Sequence, residues 1–237
     1  MYRRAHHQRI AHILASLEPA VLRDHGCLFG GGTCIALRFD EYRESLDIDF
    51  LVSDAMAYRE LRQRLTSGDG LSSITRTGAM PLQLLREVRA DQCGIRTQVL
   101  MNGQSVKLEI VREARFALDA PSPDATICGI DTLTTRDLAT SKLLANSDRW
   151  ADDSSFNRDL IDLAMLSLKK AQLGAAMEKA NEAYGQAVMR DLMRAIERVQ
   201  DRQGWLDRCM HVMAMSLPKA VLWKKIRQLK QQLPPSA

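Results

Sequence analysis

The stretch "LFGGGTCIALRFDEYRESLDIDFLVSD", residues Leu28 to Asp54, holds three consecutive glycines and then two aspartates one residue apart. The glycines lie between a short apolar strand-like segment and a helix-like one. Glycines at such a transition let backbone N–H groups approach a phosphate, and the amino terminus of the following helix favours negative charge. The loop lacks G-x-x-x-x-G-K, and "GGGTCI" is not G-x-G-x-x-G, so neither the P-loop nor the dinucleotide fingerprint applies. "LDIDFLV" has period two, with Ile48 and Phe50 on one face and Asp47 and Asp49 on the other. Strand rise sets the two carboxylates roughly 7 Å apart. Side by side two carboxylates repel each other, a penalty that a divalent cation removes. Alone, the glycines read as a tight turn and the D-x-D as a solvated strand edge. Fourteen residues separate Thr33 from Asp47, and at that distance the two halves read together as a site for phosphate and metal.

The rest of the chain bounds this reading. Its 237 residues suffice for one large domain or two small ones. With 33 Lys and Arg against 29 Asp and Glu, the net charge is +4, so the distribution of charge matters more than its sum. Five scattered cysteines without a C-x-x-C pair point to a reducing compartment and away from a disulfide frame or a structural zinc. No secretory signal and no run of 18 apolar residues occurs, so the expectation is a soluble, cytoplasmic protein.

Ile10, Ile13, Leu14 and Leu17 recur at helical spacing, and Pro19 follows. Short strands are expected at 27–29 and over the D-x-D run, with helices at 33–39 and 55–65. From 71 to 111 the chain reads as strands: "GIRTQVLM" and "QSVKLEIV" flank Asn102-Gly103, a strong hairpin signal. "DAPSPDA", from Asp119 to Ala125, reads as a linker, and strand signals stop beyond it. Thr134 and Asp137 form a capping box ahead of a helix to about Asn146. Further helices are expected near 156–170, 172–184, 187–203, 205–216 and 218–232. The fold class is therefore α+β, with a mixed α/β domain over 1–120 and a helical domain over 121–237.

Taken together, "GGGTCIALRFDEYRESLDIDF" resembles the first motif of nucleotidyltransferases of the DNA polymerase β type. In detail it is most similar to the AbiEii/AbiGii abortive-infection toxin family, whose pattern runs G-G-T, an apolar helix, then R-x-S-x-D-I-D-F. Gly31, Gly32, Thr33, Arg43, Ser45, Asp47, Asp49 and Phe50 match it in order. Downstream, "DLATSKLLANSDRWADDSSFNRDLIDLAML" resembles the family's lysine helix followed by R/K-D-x-x-D, which places Lys142, Arg158, Asp159 and Asp162. The resemblance spans about residues 25 to 168.

What the resemblance implies is a polymerase β-like mixed-sheet domain followed by a carboxy-terminal helical bundle. The implied reaction is attack of an acceptor hydroxyl on the α-phosphate of an NTP, with pyrophosphate leaving. Asp47 and Asp49 would hold Mg²⁺ or Mn²⁺, and Glu109 would be a third metal ligand. Gly31, Gly32 and Thr33 would cradle the β- and γ-phosphates, with Arg43 and Ser45 also on the nucleotide. Lys142 would add positive charge to the triphosphate, and Asp159 would orient Lys142 or serve as base toward the acceptor. The implied acceptor is RNA, the 3′ end of a tRNA, and the implied partner is a cognate antitoxin protein, with no membrane involved.

Other readings stay open on the residues. Lys142, Arg158, Asp159 and Asp162 also read as an interhelical ion-pair cluster. The five histidines show no ligand spacing and read as surface or packing residues. Arg190, Arg194, Arg198 and Arg202 recur every four residues in a tail with ten Lys or Arg and four Asp or Glu from Arg190 onward. That row reads equally as an RNA-tracking face or as a solvated helix face. The competing functions are a small-molecule nucleotidyltransferase of the antibiotic-modifying type and a nucleotide-binding module without turnover. An acidic acceptor pocket would favour the first and a decayed site the second.

Overall fold

The computed structural model describes residues 2–233. The chain divides into two compact units: residues 2–38 with 45–134, and residues 39–44 with 135–233.

The first unit opens with α1 (Ala5–Ser16) and α2 (Pro19–Asp24). Pro19 occupies the first turn of α2, where its missing N–H costs nothing, and the Glu18 side chain caps the helix by accepting from Ala20 N–H. There follow β1 (Leu28–Gly30), α3 (Gly31–Arg38), β2 (Ile48–Val52), α4 (Ala55–Thr66), β3 (Gln83–Ala90), β4 (Gly94–Met101) and β5 (Gln104–Arg112). A short ribbon of β6 (Thr126–Ile127) and β7 (Ile130–Asp131) completes the unit.

The five-stranded sheet has the order β1-β2-β5-β4-β3, with only the β2/β5 pair parallel. The expected alternation builds its core face, where Ile48, Phe50, Val52, Ile95, Val99, Val106, Leu108 and Ile110 are buried. Asn102 and Gly103, at φ of 51° and 73°, form the tight turn between β4 and β5 that their identities announce. β6 and β7 lie beyond the point where strand signals stop. Strands of two residues carry no period, and only the Cys128-Gly129 turn, with φ of 54° and 82°, marks them.

The second unit is helical: α5 (Thr135–Arg149), α6 (Arg158–Met165), α7 (Lys170–Tyr184), α8 (Ala187–Asp201), α9 (Trp205–Val212) and α10 (Lys219–Gln232). The apolar stripe of α8, Val188, Leu192, Ala195, Ile196 and Val199, is buried. Between α5 and α7, Lys179 Nζ meets Asp137 Oδ1 at 2.5 Å, both groups buried. The α5–α6 loop turns through Phe156 and Asn157, both left-handed at φ of 49° and 47°. Trp205 fixes that turn: its indole N–H donates to Asn157 Oδ1 at 2.6 Å and its ring stacks on Phe156. Residues 39–44 join this unit through two backbone bonds, Glu44 N–H to the Met213 carbonyl and Ser216 N–H to the Tyr42 carbonyl, both 2.9 Å. Among the described residues no helix is long and apolar enough to cross a membrane. The chain thus forms the expected mixed sheet followed by helices.

Candidate active site

Each of two glycines in the turn has its own physical reason. A Cβ on Gly30 would lie 2.5 Å from Leu133 Cδ1, so this residue is small for packing. Gly31 begins α3 at φ +68°, and a Cβ there would lie 2.4 Å from Asp49 Oδ2. The Asp49 carboxylate therefore sits against the first turn of α3, whose N–H groups have no partners within the helix. Sheet register produces this approach, because Gly30 of β1 pairs with Asp49 of β2.

Asp47 is exposed and precedes β2 by one residue. A relay of hydrogen bonds fixes its backbone. The buried Thr33 hydroxyl lies 2.5 Å from the Asp47 carbonyl and 2.8 Å from Ser45 Oγ. With a single proton, Thr33 donates to the carbonyl, which leaves Ser45 to donate to Thr33. Ser45 N–H in turn donates to Nε2 of the buried His7 at 3.2 Å. Thr33 and Ser45, expected on the nucleotide, thus direct their side chains to each other and to the aspartate backbone.

Glu109 is the register partner of Asp49 across the parallel β2/β5 pair, so the two share a face. Its oxygens are both engaged: Lys107 Nζ reaches Oε2 at 2.5 Å and Arg96 Nε reaches Oε1 at 2.6 Å. Burial alone would raise the Glu109 carboxyl, but these two cations hold it below the usual range. Lys107 is raised by Glu109 and, more weakly, by the fields of Asp47 and Asp49. Among the described residues no group of three His, Cys, Asp or Glu is arranged to hold a metal ion. The donor chemistry of Asp47 and Asp49 still fits magnesium, which is commonly held by one or two carboxylates together with substrate phosphates. Glu109, expected as a third ligand, has both its oxygens on Lys107 and Arg96.

The downstream motif forms a second cluster, inside the helical unit. Lys142 Nζ lies 2.7 Å from Asp162 Oδ2 and 3.1 Å from Asp159 Oδ1. Arg43 grips Asp162 with two bonds of 2.7 and 2.9 Å, and Tyr42 donates its hydroxyl to the same carboxylate at 2.6 Å. Arg149 makes the matching fork on Asp159 at 2.6 and 2.9 Å. Lys142 is 6 % exposed and Asp162 0 %, so this is an ion network inside the helical core. Burial opposes charge on every member. Arg43 and Lys142 nevertheless hold Asp162 well below the usual carboxylate range, and Lys142 and Arg149 do the same for Asp159. Lys142 is raised in return. Arg43, expected on the nucleotide, is thus buried against Asp162, while Arg158 is exposed.

The arginine row of α8 also has partners in its own unit. Arg190 pairs with Asp191, and Arg198 and Arg202 both pair with Asp153. Arg194 lies over the Trp150 ring, and Arg202 lies 4.0 Å from the Trp205 ring centroid.

Sequence reading missed His7, Lys107, Tyr42 and Arg149. His7 had a signal, since it continues the stripe of Ile10, Ile13, Leu14 and Leu17 at helical spacing. Lys107 had one as well, because it alternates onto the face of Glu109. Tyr42 and Arg149 had none, for their partners lie 120 and 10 residues away and no period connects them.

Among solved structures, JHP933 from Helicobacter pylori is similar at 18 % identity and a TM-score of 0.47, covering 95 % of this chain and 94 % of that one. A second H. pylori chain, provisionally described as a nucleotidyltransferase, is similar at 19 % identity and a TM-score of 0.43, covering 94 % and 97 %. No curated protein matches. The family model for "Nucleotidyl transferase AbiEii toxin, Type IV TA system" matches residues 12–230, which takes in the glycine turn, both aspartate pairs and Lys142. The chain belongs to this AbiEii family of nucleotidyltransferase toxins.

Proposed function

We propose that this nucleotidyltransferase toxin transfers an NMP from an NTP to the 3′ end of an RNA, a tRNA in particular. One observation carries the reading: Gly31 at positive φ beneath the Asp49 carboxylate, with Asp47 tied to the same helix through Thr33. That arrangement brings phosphate-type donors and the D-x-D carboxylates to one end of the sheet. The first-turn N–H groups of α3, beginning at Gly31 and Gly32, would receive the outer phosphates. A divalent cation held by Asp47 and Asp49 would supply charge neutralisation on the triphosphate and lower the pKa of the attacking hydroxyl.

The acceptor oxygen forms a bond to the α-phosphorus while the α–β anhydride bond breaks and pyrophosphate leaves. The hydroxyl proton departs through the carboxylate pair to water. Thr33, Ser45 and His7 act as positioning residues, holding the segment that carries Asp47. Lys142, buried between Asp159 and Asp162 in the helical unit, is assigned to the charge of the triphosphate on the family motif alone. Asp159 is assigned to orienting Lys142, since a carboxylate held ionised by Lys142 and Arg149 is a weak base. The five free thiols suit the cytoplasm, and type IV membership brings a cognate antitoxin as partner.

The test is incubation of the purified protein with each α-labelled NTP, magnesium and total RNA. Label at RNA 3′ ends, absent with Asp47→Asn, is the expected result. Label on aminoglycoside-like small molecules, with none on RNA, would replace the acceptor assignment.

A further inference from the structure

The polar face of the sheet continues past the aspartates as one registered row. Gly30 pairs with Asp49, Asp49 with Glu109, Glu109 with Arg96, and Arg96 with Arg89, so these five positions cross all five strands on the same side. Lys107, Gln98 and Arg86 form the neighbouring row in the same manner. A bulge makes this possible. Between Arg86 and Arg89 the edge strand β3 advances three residues while β4 advances two, from Gln98 to Arg96. Without the extra residue, period two would send one of the two arginines to the opposite face.

Arg86 and Arg89 are both exposed, as is Arg96, and the Lys107 side chain is 42 % exposed. The carboxylates beside them are Glu109 and Asp91, which both pair with Arg96. The other anions of this face, Asp47 and Asp49, stand at its β2 end, so positive charge gathers toward the β3 edge at Arg86 and Arg89, with the exposed Glu87 in the bulge between them. At about 4.8 Å per strand, the row runs roughly 14 Å from Asp49 to Arg89, the reach of a few nucleotides.

We propose that the polar face of β5, β4 and β3, through Lys107, Arg96, Arg86 and Arg89, binds the phosphodiester backbone of the acceptor RNA beside its reacting end. This inference rests on the RNA-transfer reading above and gives that reading its surface. Cations on the same face of the sheet as Asp49, and in register with it, match a chain of phosphates that must end at those carboxylates. Arg86 and Arg89 are the exposed cations of this face that make no ion pair with Glu109 or Asp91, whereas the α8 arginines are engaged by Asp153, Asp191 and the rings of Trp150 and Trp205.

The experiment is a salt titration of binding to a fluorescein-labelled single-stranded oligoribonucleotide, paired with transfer to bulk tRNA. Arg86→Glu with Arg89→Glu lowers affinity roughly tenfold or more at low salt and reduces the log–log salt slope by about 0.7 for each phosphate that is no longer neutralised. NTP binding, measured on the same sample, stays at the wild-type value and shows that the fold is intact. Arg86→Lys with Arg89→Lys keeps the slope. If wild type labels RNA and the Glu double variant keeps both slope and transfer, the sheet face is not the RNA surface and the transfer reading stands. If wild type labels no RNA, the transfer reading falls and takes this inference with it.

Discussion

The two aspartate pairs of this chain, Asp47 with Asp49 and Asp159 with Asp162, are nearly the same chemistry in opposite surroundings. The first pair alternates along an extended segment, one carboxylate exposed and the other against the open first turn of α3. The second shares a helix face and is buried beneath Arg43, Lys142 and Arg149, with the Tyr42 hydroxyl as well. In the second pair the fold itself supplies the countercharge, so loss of one member leaves uncompensated charge in the core. The first pair lies at the strand–helix turn, where the Asp49 carboxylate sits against Gly31, and it is the pair to which the proposed reaction is assigned. One D-x-D and one D-x-x-D thus divide into a pair at the strand–helix turn, proposed to meet substrate, and a pair that Arg43, Lys142 and Arg149 neutralise within the helical unit.

The largest effect expected from this contrast is on turnover. Asp47→Asn or Asp49→Asn removes a charge without removing bulk, so transfer falls by roughly 10³-fold or more while thermal stability holds. Asp162→Asn has the opposite profile. It strands Arg43 and Lys142 in the core and costs about 3–5 kcal/mol of stability. Denaturant melts and steady-state transfer on the same variants separate the two. A wild-type melting curve for Asp162→Asn would break the comparison, as would near-full transfer by Asp47→Asn.

Acid sharpens the contrast. Asp159 and Asp162 titrate below the usual carboxylate range when folded and near pH 4 when unfolded. A depressed pKa contributes stability that is fully present above about pH 4 and is lost as pH falls through the folded values. Lys142 is raised, so its share persists below about pH 10.5 and fades only above it. The wild-type melting temperature should therefore drop steeply below pH 4. Asp162→Asn, which has lost one of these groups, should show a shallower drop. Parallel curves for the two proteins would remove the network from the acid response.

How much of this was legible differs by element. Local signals worked: Asn102-Gly103 gave the β4–β5 hairpin, and alternation gave the face that Asp49 shares with Glu109. Period assigns a residue to a face and says nothing about which partner waits there. Arg43 lies in the expected motif, yet its guanidinium ends on Asp162, 119 residues away. Glu109 was found by its alternation, while its capture by Lys107 and Arg96 depended on strand order. The β3 bulge was equally hidden, because the period of a strand breaks at the extra residue. The α8 arginines were visible as a row, but their partners Asp153 and Trp150 lie in a loop before α6.

The smallest effect is the most discriminating about Thr33. The motif alone assigns this hydroxyl to phosphate, whereas it donates to the Asp47 carbonyl from a fully buried site. Thr33→Val keeps the shape and removes the bond, leaving the Asp47 carbonyl and the Ser45 hydroxyl without their partner. That costs about 1–3 kcal/mol of stability. If the role is to position Asp47, kcat falls while KM for the NTP stays near wild type, because every group that meets the phosphates is still in place. Thr33→Ser, which restores a hydroxyl in the same pocket, should recover most of the rate. A rise in KM with kcat preserved would instead put the hydroxyl on the nucleotide. The relay from His7 through Ser45 would then serve to hold Thr33 toward the phosphates, and the D-x-D segment would owe its placement to the sheet alone.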